Sequence, residues 1–248
     1  MATLNIVDFI KIFYRSFFIQ ATWNYERRQG LGYCFCLIPF AKKYLINKSD
    51  RVEFLKRNLE FFNSHPYMAN WIIGAALKME QQSLQKREVE SAQIDQFKTH
   101  MSVVAAAIGD QMFWSQIKPL SAMIGVVLTL YFQLIGLVAF LAVYNVPHLY
   151  VRIKGLWLGY EKGFELTKSL AMKKYKPIIN SLNKTGGLLT GILLIFTGNS
   201  KYLTDSFDVL AFAGGIVFMI CFLKLKLSIP MALTAVIILS STIAAIIL

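Results

Sequence analysis

Three cysteines, three histidines and six prolines in 248 residues leave several chemistries short of material. Cys34 and Cys36 are one residue apart in an apolar run and Cys221 stands alone in another, so no pair has the C-x-x-C spacing of a zinc site. Buried, reduced thiols are the reading they support. His65, His100 and His148 each lack a second ligand at metal spacing, so no metal is expected. Acidic residues number only 14, and no nucleophile motif, phosphate-binding glycine loop or paired-carboxylate spacing occurs. GLGYC at 30–34 is too short for a dinucleotide fingerprint. No catalytic residue, cofactor or phosphorylation site is assigned to the chain. A signal peptide is also lacking, since MATLNIVDFIKIFYRSFF has no charged, apolar and small-residue series, and the mature chain is expected to begin at or near Met1.

Apolar residues are abundant. Hydrophobic types make up 56% of the chain, above the share of about 45–50% usual for a soluble domain, and the mean hydropathy is positive. A membrane protein is expected. The net charge of +12 does not point to nucleic acid, because Lys and Arg are interleaved with apolar runs instead of gathered on one face. That distribution suits loops held against the anionic cytoplasmic leaflet.

The runs define two parts. Residues 119–248 read as a C-terminal transmembrane helical part, with Pro119 to Val151 free of charge and expected to be a membrane span, and Leu227 to Leu248 a second. Thr185 to Ser200 and Val209 to Leu223 are shorter and expected to be broken or tilted. Residues 152–184 carry eight basic residues against Glu161 and Glu165, which predicts a cytoplasmic basic loop, with 201–208 external. Residues 1–118 read as amphipathic and re-entrant helices, because their apolar pieces Gln29–Ala41, Ala69–Leu77 and Met101–Ile117 are short and bracketed by charge. Ser49 or Asp50 is expected to cap a helix there, and Lys78–Lys98 to form a soluble, cytoplasmic helical connector. The fold class is all-α, a polytopic integral membrane protein.

Polar residues within apolar segments are the site candidates. Thr22 to Gln29 supplies Trp23, Asn24, Glu26 and Gln29, hydrogen-bond donors and acceptors together with an aromatic face. The same types also fit an interfacial belt of Trp, Tyr and snorkelling Arg. Asp110 in AAAIGDQMFW is expected to be buried and in need of a partner, or else to cap a helix after Gly109. His65 before Pro66 and His148 after Pro147 are placed at bends, each with a structural hydrogen bond preferred over a role as proton carrier.

Five segments in order, FYRSFFIQATWNYERRQGLGYCFCLIP, FLKRNLEFFNSHPYMA, IGDQMFW, FLAVYNVPHLYVR and GLWLGYEKGF, resemble the IID component of the mannose/fructose/sorbose class of bacterial sugar phosphotransferase systems. The resemblance implies a non-phosphorylated, multi-pass subunit of the bacterial cytoplasmic (inner) membrane, paired with a IIC membrane subunit in trimers of pairs. It implies a sugar substrate phosphorylated by soluble IIA and IIB subunits during uptake, and LGYEKGF as a place for IIB to dock. Trp23, Asn24, Glu26, Gln29, Asn63, His65, Asp110 and Trp114 would bind or gate the sugar. The alternative is a scaffold that holds IIC and IIB without touching substrate. Two departures stand out: MSVVAAA replaces the Gly-Pro usual before IGD, so regular helix is expected there, and the charged segment between HPYM and IGD is short.

Overall fold

The computed structural model describes residues 4–86, 89–198, 217 and 234. The chain divides into two compact units, Met1–Leu189 and Thr190–Leu248, and the first is described here. Apart from Val217 and Thr234, the expected span Leu227–Leu248, the shorter stretch Val209–Leu223 and the segment 201–208 lie outside the described residues. The fold is all-helical: α1 Ile6–Ser16, α2 Gly30–Tyr44, α3 Lys48–Asn58, α4 Ala69–Lys86, α5 Ser91–Gly109, a π-helical stretch Asp110–Ile117, α6 Lys118–Phe132, α7 Leu134–Lys162, a short 3-10 turn Gly163–Glu165, α8 Leu166–Ser169 and α9 Met172–Gly198.

α1 begins at a reciprocal cap. Asn5 Oδ1 accepts from the Asp8 amide at 2.9 Å and Asp8 Oδ2 from the Asn5 amide at 3.0 Å. Burial pushes the Asp8 carboxyl up, but the Lys43 ammonium and the Asn5 amide outweigh it and hold it below its ordinary value. α1 therefore stays pinned to the end of α2 while Ile6, Ile10 and Tyr14 remain exposed.

The centre is α4 packed on α7. The residues of α4 from Ala69 to Leu77 are all buried, so this short apolar piece, read as interfacial, re-entrant or buried, is enclosed by protein. Two glycines permit the contact: a methyl group on Gly159 would lie 2.3 Å from the Trp71 carbonyl oxygen, and one on Gly155 the same distance from the Trp71 ring. Past α7 the chain turns at Gly163, whose φ of +53° suits a residue without a side chain.

Several expectations are corrected. Pro119–Val151 is not one span but the hairpin of α6 and α7, reversed at Gln133 with φ +45°; Gly136 approaches the Thr129 backbone closely enough that a Cβ would lie 2.4 Å from its nitrogen. The 152–184 segment is helical for most of its length, formed by the end of α7, by α8 and by the start of α9. His148 is not at a bend: Pro147 sits inside α7. Lys78–Lys98 is helical over most of its length, as expected, but as the end of α4 and the start of α5, and its Glu80 and Gln81 are buried. Arg57 makes that burial tolerable, its Nη2 donating to both Glu80 oxygens at 2.7 and 2.9 Å, and the Tyr160 hydroxyl donates to Gln81. Burial nevertheless leaves the Glu80 carboxyl above its ordinary pKa, with Arg57 opposing the rise. Neither Ser49 nor Asp50 caps α3; Asn47 occupies the cap position, and Asp50 joins the first turn, where it faces the helix dipole.

Among the described residues two continuous helical stretches, Ser91–Phe132 and Leu134–Ser169, are long and apolar enough to cross a membrane. In their most apolar windows only 22% and 11% of residues are buried, whereas the central helix of a soluble protein would be mostly covered.

Candidate functional site

The segment from Phe62 to Met68 is the meeting point of the motifs. On one side Thr22–Gln29 folds into a tight loop: Asn24 and Arg28 exchange backbone hydrogen bonds of 3.2 and 2.9 Å, Arg28 taking a φ of +53°, and Asn24 Oδ1 accepts from the Arg27 amide at 2.8 Å. This loop is tied to the segment by Gln29 N–H to the Phe62 carbonyl at 2.8 Å and Phe62 N–H to the Arg27 carbonyl at 3.3 Å. The buried Gln29 side chain donates to the Ser64 carbonyl at 2.7 Å and accepts from its amide at 3.3 Å. Ser64 Oγ then donates to the Ser102 carbonyl on α5 at 3.1 Å.

On the other side His65 reaches the IGDQMFW motif. Its ring stacks on Phe113 at 5.3 Å and meets Trp114 at 4.9 Å, and Gly109 is where it has room, since a Cβ there would lie 2.3 Å from the His65 side chain. His65 Nδ1 accepts from the Tyr67 amide at 3.2 Å, so the ring proton of the neutral form sits on Nε2, which has no partner among the described residues. Burial, with the charge on Arg152 and His148 acting in the same direction, pushes its pKa down to about 3.

A third set of contacts joins the segment to α7. The Tyr67 and Tyr144 hydroxyls share a hydrogen bond of 2.7 Å, the Tyr67 ring stacks on His148 at 4.4 Å, and the Arg152 guanidinium lies between Tyr67 and Phe17, 5.0 and 4.8 Å from their centroids. Arg152 Nη1 also donates to the Ser16 carbonyl at 3.0 Å, closing the end of α1. His148 and Asn145 are bonded at 2.9 Å.

The eight sequence-predicted residues fall into three groups. Gln29 and His65 face inward and hold the segments together. Trp23, Glu26, Asn63, Asp110 and Trp114 are exposed, and Asn24 is half-buried with its side chain committed to its own loop. Trp23 and Tyr25 pack edge to face at 5.0 Å with Arg28 over both rings; Glu26 pairs with Arg27 at 3.4 Å in solvent-exposed positions. Asp110 is exposed, which overturns the expected burial: the π-helical register turns Asp110, Gln111, Trp114 and Ser115 outward and Met112, Phe113 and Ile117 inward. Such irregular stretches concentrate at functional sites. No cluster of three metal-ligating side chains occurs among the described residues.

Sequence reasoning missed Tyr67, Tyr144 and Arg152. A signal was present: Asn145, His148, Arg152, Gly155, Leu156 and Gly159 recur at helical spacing on one face. Arg152 directly follows the charge-free run, so charge alone groups it with the basic residues of 152–184.

Residues 3–197 match the family model of the PTS system mannose/fructose/sorbose family IID component. The chain belongs to this IID family. It is 33% identical over 188 residues to the mannose-specific EIID component of Escherichia coli K12, covering 75% of this chain and 66% of the relative. It is 31% identical over 187 residues to the fructose permease IID component of Bacillus subtilis strain 168, covering 75% and 68%. This IID chain thus spans just under two thirds of the length of the Escherichia coli relative. A chain in the cryo-electron-microscopy structure of the mannose transporter ManYZ with microcin E492 superposes with a TM-score of 0.64 at 29% identity, covering 78% of this chain and 71% of that one. A structure described as a membrane protein shares the fold over 98% of both chains, with a TM-score of 0.75 at 23% identity.

Proposed function

We propose that this IID chain is a multi-pass subunit of a bacterial inner-membrane sugar permease. It forms the translocation path together with a IIC subunit, for a sugar that a IIB subunit phosphorylates during uptake. In this reading residues 1–118 carry the polar motifs on amphipathic and re-entrant helices and residues 119–248 are the transmembrane part. Trp23, Glu26, Asn63, Asp110 and Trp114 face the sugar, with Asn24, Gln29 and His65 shaping the wall behind them. The observation that carries it is the convergence of three distant segments on Phe62–Met68 with those polar and aromatic side chains left exposed. Exposed carboxylates, amides and aromatic rings are the groups that bind sugar hydroxyls and ring faces.

The test is uptake and phosphorylation of candidate sugars by the intact complex carrying Glu26→Ala and Asp110→Ala. Transport is expected to fall while assembly stays normal; uptake unchanged for every sugar would remove the polar site from this subunit. The inward commitment of Gln29 and His65 favours a second reading, a scaffold for IIC and IIB. A sugar-bound structure separates the two, since a scaffold places no side chain within ~3.5 Å of the sugar.

A further inference from the structure

The π-helical stretch Asp110–Ile117 frees one backbone carbonyl. In an α-helix the Trp114 carbonyl would accept from the amide four residues on, and in a π-helix from the amide five residues on. Neither donor is available to it. The Lys118 amide, four residues on, donates to the Phe113 carbonyl, and residue 119, five residues on, is a proline without an N–H. The Ser121 hydroxyl, a turn further, is committed to the Lys118 carbonyl at 2.8 Å. A helical carbonyl points along the axis towards the next turn, here from Trp114 to Lys118, and both residues are exposed. Asp110, Gln111 and Ser115 are exposed as well, so the free acceptor lies on the polar face of the motif.

We infer that the Trp114 carbonyl accepts a hydrogen bond from a hydroxyl of the transported sugar, and that Pro119 is the positioning residue that keeps it free to do so. The stretch belongs to the continuous helix Ser91–Phe132, long and apolar enough to cross a membrane. A backbone group without a partner is tolerated there only inside protein or along a water-filled cavity, never against lipid. Because Trp114 and Lys118 are exposed, the carbonyl fronts the cavity. A hydroxyl donor is what it lacks and what a sugar presents in excess. The Trp114 ring and the Asp110 carboxylate, on the same stretch, add the aromatic face and the further acceptor that suit a sugar ring. The buried side holds this register in place: Phe113 stacks on His65 at 5.3 Å and meets Tyr67 edge to face at 5.1 Å. The acceptor is therefore in position before the sugar arrives, and reading side chains alone passes over it.

The inference rests on the sugar-site reading proposed above, and the experiment separates their failures. Pro119→Ala restores an N–H five residues beyond Trp114 without altering a side chain assigned to the sugar. Uptake of mannose, of fructose and of the monodeoxy derivatives of each is measured with the intact complex carrying the parent or the variant chain. Half-saturation is expected to rise about fivefold, the worth of one neutral hydrogen bond, with maximal rate and assembly kept and the melting temperature kept or raised. The derivative that lacks the hydroxyl meeting the carbonyl should serve parent and variant alike. A loss shared equally by every derivative marks a general backbone change and overturns the proposal. A variant that no longer assembles with its IIC subunit gives the carbonyl to a donor of that partner and overturns it too. Unchanged half-saturation in Pro119→Ala, with uptake lowered by Asp110→Ala, overturns this proposal and leaves the sugar reading standing. Uptake that survives both substitutions removes the sugar reading, and this proposal with it. A second measurement needs no variant. Trp114–Ser115 is the only Trp–Ser step in the chain, so isotope labelling of tryptophan carbonyl carbons and serine nitrogens yields a single coupled magnetic-resonance signal. That carbonyl should move downfield when a transported sugar is added to saturation, and a signal that stays in place overturns the proposal.

Discussion

Replacing Gly159 by alanine tests the contact on which the whole core depends. The added methyl carbon would lie 2.3 Å from the Trp71 carbonyl oxygen and 3.0 Å from the Ala75 nitrogen, where ordinary contact begins at 3.4 Å. Both obstacles are backbone atoms in the middle of α4, so no side chain can rotate aside. The helices must separate by roughly 1 Å, the difference between 2.3 and 3.4 Å, and opening a packed core to admit a methyl group costs about 1–3 kcal/mol. Alanine also favours helix over glycine by ~1 kcal/mol, which offsets part of that. Gly187→Ala is the internal control, because nothing lies within 4 Å of its Cβ position and only the propensity gain remains. Thermal unfolding in detergent, followed by size-exclusion profile, should show Gly159→Ala less stable than the parent and Gly187→Ala no worse than it. If Gly159→Ala melts with or above Gly187→Ala, α4 and α7 do not meet as described.

Arg57→Met leaves the buried Glu80 carboxylate without its cation and should destabilise the protein by ~3 kcal/mol, whereas adding Glu80→Met should restore most of the loss, measured by the same thermal assay. Because burial already raises the Glu80 pKa, the single-variant defect should be largest at high pH and shrink as pH falls through the folded value, where the carboxyl becomes neutral. His65 behaves in the opposite sense to a histidine stabilised by a partner. Its folded pKa of about 3 lies below the ordinary 6.5, so its contribution is present above pH 6.5 and is lost as pH falls towards 3, and a His65→Gln variant should lose that part of the acid slope in a stability–pH profile.

The motif segments themselves were legible as a linear pattern. Apolar excess, the scarcity of acid and cysteine and five ordered motifs identify an all-helical chain of the IID family, because composition and residue spacing are properties of the sequence alone. The π-helical register at Asp110 was not legible. AAAIGDQMFW reads equally as regular helix, and only the packing of Phe113 and Trp114 around His65 shows which side chains turn outward. The hairpin of α6 and α7 was hidden for a similar reason: a charge-free run has no polarity contrast to mark a reversal, and Gln133 is an ordinary residue for that turn.

The sequence by itself determined which segments are apolar enough for a bilayer and which polar groups interrupt them. Tertiary structure decided what those groups face. Gln29 and Glu26 are three residues apart in one motif, yet one is bonded to Ser64 in the interior and the other is exposed. Backbone hydrogen bonds to Phe62, a partner 33 residues further along the chain from Gln29, set that difference, and a contact at such separation leaves no trace in local periodicity.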